Sequence, residues 1–132
     1  MGMGSSFRLL DHPSDVGFEA LGSTWEELLD GSVRALAAVQ TGGSIPAAAD
    51  RRAHGVVDDD PESALVSVLE SCVALLDAED WLAVGVVDGE LAGVPLTDVE
   101  REVGTHVKAI TWHQLKVEQT TEGWRAVVYV DL

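Results

Sequence analysis

"DPESALVSVLESCVALLD", residues 60–77, reads as a helix from its first residue onward. Asp60 is a capping side chain, and Pro61 sits where its missing N–H costs nothing. Glu62 complements the positive end of the helix dipole. Ala64, Leu65, Val68, Leu69, Cys72, Val73, Leu75 and Leu76 recur at helical spacing and make a wide apolar face. A helix with so broad an apolar face belongs at the centre of a core.

The chain on either side supplies what that helix packs against. Upstream, "FRLL" (7–10) and "VGFEALG" (16–22) read as strands, joined by the loop "DHPSD" with Pro13 as its punctuation. Ser23, followed three positions later by Glu26, predicts a capping box. The helix it opens carries Trp25, Leu28, Leu29, Val33, Leu36 and Val39 on one face and stops at Gly42-Gly43. Residues 41–50 form a loop, and "RRAHGVVDD" (51–59) holds a short strand. Downstream, "WLAVGVV" (81–87), the Asp88-Gly89 turn and "ELAGVPL" (90–96) make a hairpin. "HVKAITWHQLKVE" (106–118) is a long strand, and "QTTEG" turns it into a last strand, "WRAVVYVDL" (124–132). The expectation is one α+β domain over residues 7–132, with two helices packed on antiparallel or mixed β-sheet, after a flexible tail of residues 1–6.

The 132 residues suffice for a single core, and 46% of them are hydrophobic. No apolar run reaches the roughly 18 residues that a membrane span needs. The beginning "MGMGSSFRLL" has no basic stretch followed by a long apolar core, so the expected location is the cytoplasm. Cys72 is the only cysteine, which excludes an internal disulfide and a thiolate zinc cluster. Eight basic residues against 23 acidic ones give a net charge of −15, with no basic stripe to track a phosphate backbone. Direct nucleic-acid binding is therefore not expected. An acidic surface suits cations, basic proteins or simple solubility.

Few residues offer chemistry. His12 lies between Asp11 and Asp15, but the other three histidines (His54, His106, His113) are scattered, so a catalytic zinc centre is not indicated. Asp15 closes a loop before a strand, and Asp131 closes the last strand. Were those strands neighbours, two carboxylates and the main-chain terminus at Leu132 would converge as hard oxygen ligands, suited to Ca²⁺ or Mg²⁺ rather than zinc. The ordinary reading of such residues is that they are solvated strand ends. Cys72 is core filler. Lys108 and Lys116 are the only lysines, and both fall in one strand. Strict alternation puts Lys108 on the face of Ile110 and Trp112, partly covered.

Taken together, "LDHPSDVGFEALGSTWEELL" (10–29), "ALVSVLESCVALLD" (64–77), "GTHVKAITWHQLKVE" (104–118) and "WRAVVYVDL" (124–132) resemble the archease family. Each motif is weak alone; four in order, spanning nearly the whole chain, are specific. Pro13-Ser14 stand where the family usually has Thr-Ala, and Trp112 where it has Tyr.

The resemblance implies a non-enzymatic helper of the RNA-splicing ligase, which joins a 3′-phosphate end to a 5′-hydroxyl end with GTP and a divalent metal in tRNA splicing and RNA repair. The helper promotes guanylylation of the ligase and its repeated turnover. The resemblance also implies a divalent metal, Ca²⁺ first, with Mg²⁺ and Mn²⁺ as alternatives. It places that metal on Asp15, Asp131 and Leu132, with Lys108, His12 and Asp11 as candidates for ligase activation. Two other readings compete. One is a metal-dependent hydrolase using His12 and the aspartates; the other is a chaperone-like scaffold with a structural ion.

Overall fold

Strand β1 (Ser6–Asp11) pairs with β2 (Val16–Gly22), which pairs with the last strand, so the two ends of the chain meet in one sheet. The computed structural model describes residues 4–11, 16–97 and 104–132. Its further elements are α1 (Trp25–Thr41), β3 (Asp50–Arg52), α2 (Pro61–Glu79), β4 (Trp81–Val87), β5 (Glu90–Pro95), β6 (Ala109–Thr120) and β7 (Gly123–Asp131). They form a four-stranded sheet, β1-β2-β7-β6, and a three-stranded sheet, β3-β5-β4, with every pairing antiparallel. This is the expected α+β architecture.

The two helices fill the space between the sheets. Helix α1 packs on β2 and β4, and α2 packs on β6 and β4. Leu28, Leu36, Leu65, Leu69, Phe18, Trp81 and Val128 are among the fully buried side chains of this core. Cys72 is buried among them, and burial pushes its thiol up to about 12. The cap of α2 is the predicted one: the Asp60 carboxylate accepts from the Ser63 N–H at 2.9 Å. Its far end closes on Asp80 in the left-handed conformation, φ 54°. The hairpin turn is also as read, with Asp88 and Gly89 both at positive φ.

Two local expectations fail. The α1 cap is Thr24, not Ser23: Thr24 Oγ1 accepts from the Glu27 N–H at 3.2 Å, and Glu27, not Glu26, reaches back to the Ser23 N–H and hydroxyl. The other failure is the face of Lys108. Strand β6 starts at Ala109, three residues later than expected, which leaves Lys108 outside it, and its register with β7 shifts between Thr111 and Lys116. Gln114 takes φ 56° within that irregularity, so strict alternation does not hold along the strand. Lys108 is therefore exposed, Ile110 buried, and Trp112 54% exposed.

Candidate functional site

Register brings Lys108, Asp131 and Leu132 to one end of the four-stranded sheet. Val16, which follows Asp15 in the chain, pairs with Asp11 on one side and Val130 on the other. The strands that flank Asp15 and Asp131 are thus neighbours. Across β7, Asp131 pairs with Ala109, and its carbonyl accepts from the Lys108 N–H at 2.8 Å. Lys108, Asp131 and Leu132 are all exposed there. His106, two residues before Lys108, contacts Asp77 of α2 at 3.3 Å, so the approach to this end is tied to the last turns of the central helix.

Lys108, Asp131, Leu132 and the Asp11 backbone therefore share one sheet end. His12, Asp15 and the Asp11 side chain lie outside the described residues. Among the described residues no three His, Cys, Asp or Glu side chains group closely enough to hold a metal. Among the described residues this end presents one exposed side-chain carboxylate, that of Asp131, beside main-chain oxygens; these are hard oxygen donors.

The outward face of the same sheet carries residues that the motifs did not single out. Arg8, Glu19, Val127 and Lys116 stand in register across all four strands, and Leu10, Gly17, Tyr129 and Thr111 form the next row. Glu19 lies between two guanidinium groups: Arg8 Nε donates to it at 2.9 Å and Arg125 Nε at 2.7 Å. Arg125 also donates to Glu118 at 2.9 Å. Burial pushes the Glu19 carboxyl up, but the hydrogen bonds and charges of Arg8 and Arg125 outweigh it and hold the group below its ordinary value. An open cleft of about 420 Å³ lies over these rows, walled also by Gln114 and Leu115. Alternation within "FRLL" and "VGFEALG" already turns Arg8 and Glu19 to one side of their strands; the pairing register is what joins them.

Fold and site together define a small α+β domain with an exposed strand end at Asp131 and Leu132 and an open sheet face. This chain belongs to the archease protein family, which matches residues 7–132. It is 31% identical to the archease of Archaeoglobus fulgidus over 140 residues, covering 96% of this chain and 98% of that one. The archease of Methanosarcina mazei is 28% identical over 142 residues, covering 98% and 97%. That of Thermococcus kodakarensis is 29% identical over 140 residues, covering 92% and 95%.

Proposed function

We propose that this chain is a metal-dependent accessory protein of the RNA-splicing ligase, promoting its guanylylation and repeated turnover rather than catalysing a reaction itself. The observation that carries the reading is the juxtaposition at the sheet end. Asp131 stands beside Lys108 through a backbone hydrogen bond, and the residue after Asp15 is in register with the residue before Asp131. Family membership over residues 7–132 supplies the rest.

In this reading Asp15, Asp131 and the main-chain oxygens of Leu132 hold the cation, Ca²⁺ first. Bound there, the cation would neutralise the carboxylates and offer exchangeable positions to an oxyanion of the partner. The exposed Lys108 ammonium presents a point charge next to it, suited to a phosphate or a carboxylate of the ligase. Asp11 and His12 are further candidates for ligase activation. A chain of net charge −15 is poorly suited to holding RNA itself, and it meets RNA through the ligase. The cytoplasm, where such a ligase works, is the expected location. Among the described residues no helix is long and apolar enough to cross a membrane.

Multiple-turnover ligation of a 3′-phosphate RNA to a 5′-hydroxyl RNA tests the proposal, with limiting ligase and with or without this protein. Stimulation by the wild type and its loss in Lys108→Ala are the expected results. Equal stimulation by Lys108→Ala would remove that residue from the mechanism. No stimulation by the wild type would overturn the reading, and hydrolysis by this protein alone would point to an enzyme.

A further inference from the structure

From the open face of the four-stranded sheet we infer a second binding site, distinct from the strand end, that takes a small organic anion carrying a flat ring, with a nucleoside monophosphate as the type. Three of the chain's eight basic residues, Arg8, Lys116 and Arg125, line the one cleft. Glu19 grips both arginines through Nε and fixes their stems. The terminal nitrogens of Arg8 have no partner among the described residues, nor does the Lys116 ammonium. Glu19 itself lines the cleft between them, and arginines held by a carboxylate are preorganised donors for a phosphate placed alongside.

The second half of the site is apolar. The Tyr129 ring covers Gly17 so closely that a Cβ there would meet it at 2.6 Å. Together with Leu10 and Leu115 it makes a half-exposed wall on which a ring can stack. The charged row and the Tyr129 row are two residues apart along the strands, so roughly 7 Å separates them. A ribose spans such a gap between base and phosphate. The row from Arg8 to Lys116 crosses three strand spacings, roughly 14 Å. Gln114, turned by the irregularity in β6, adds an amide able to donate to and accept from a base edge.

Charge decides among occupants. Arg8, Arg125 and Lys116 outnumber the Glu19 carboxylate in the cleft lining, a local cationic excess on a molecule of net charge −15. A polyanion or acidic peptide would therefore run off it onto a repelling surface. A single phosphate does not extend that far. The volume of about 420 Å³ also matches pockets that take small molecules.

The test is titration of the protein with adenosine, guanosine and uridine monophosphates at low salt, followed by amide chemical shifts and calorimetry. Inorganic phosphate, the free nucleosides, a short oligoribonucleotide and an acidic peptide are the comparison probes. Saturable binding of a monophosphate is expected, with shifts centred on Arg8, Glu19, Leu115 and Tyr129 and weaker binding of phosphate or nucleoside alone. Lys116→Ala and Tyr129→Leu should each weaken it roughly tenfold, with melting temperatures showing that both variants fold. Arg51→Ala, which removes the same charge from β3 on the other sheet, should leave it unchanged. Three results would overturn the inference: no saturable monophosphate binding by the folded wild type, unchanged affinity in folded Lys116→Ala, or binding confined to the oligonucleotide or the peptide.

Discussion

Single residues set the spacing between the layers of this domain, and the glycines show it best. A Cβ at Gly22 would lie 2.4 Å from the Leu28 nitrogen and 2.6 Å from the Glu27 carbonyl carbon. Those are backbone atoms of the first turn of α1, which cannot swing aside as a side chain can. Gly22→Ala should therefore push α1 away from β2, at a cost of about 1–3 kcal/mol, and the melting temperature should fall accordingly. An unchanged melting temperature would mean that the helix start has slack the packing does not show. Glu19 gives a second prediction at this scale. Its carboxyl is held below the ordinary value, so the ionised form is favoured in the folded state. That contribution is complete above the unfolded pKa and is lost as pH falls through the folded one. The stability gap between wild type and Glu19→Gln should be widest near neutral pH and narrow as pH drops below the usual glutamate range. Denaturant titrations across that range would measure it, and a gap that widens on acidification would refute the role of the two arginines.

Among the elements, the helices, the hairpin and the strands themselves were legible in the sequence from local signals, whereas the order and register in which the strands pair were not. Asp60-Pro61 and Asp88-Gly89 state their structure within a few residues, and the helix and the hairpin follow them. At the start of α1 the local signal is duplicated. Ser23 with Glu26 and Thr24 with Glu27 both satisfy the capping pattern, and the structure uses the second pair. Thr24→Ala should thus cost about 1 kcal/mol, whereas Glu26→Ala should cost little, since Glu26 is exposed and is not the residue that reaches back to Ser23. Thermal melts of the two variants would show this, and a larger loss in Glu26→Ala would restore the earlier frame. The irregularity of β6 had no such signal, because "WHQL" contains neither glycine nor proline to mark it. The cleft was further out of reach. Arg125 and Glu19 are 106 residues apart, and they meet only because β7 inserts beside β2. For the strand end, alternation misplaced Lys108, whereas the adjacency of β2 and β7 was posed as a condition and the register meets it.

At the scale of the whole molecule, the features with functional promise stand apart from the core. The buried set runs through α1, α2 and the inward faces of both sheets, whereas Asp131 and Leu132 are exposed at the end of β7. Removing the Asp131 carboxylate should therefore leave the metal-free protein within about 0.5 kcal/mol of wild type, as for other surface substitutions. If Asp131 is a ligand, the two proteins must diverge once metal is added. A cation that binds only the folded state stabilises it by about 2.7 kcal/mol at a hundredfold excess over its Kd. Calcium should raise the melting temperature of the wild type by that equivalent and leave Asp131→Ala and Asp15→Ala unmoved. Residues appended after Leu132 should reduce the rise if its main-chain oxygens are ligands, whereas residues added before Met1 should not. The same calcium-dependent rise in Asp131→Ala as in the wild type would return both aspartates to ordinary solvated strand ends. The proposed role toward the ligase would then rest on Lys108 without a metal.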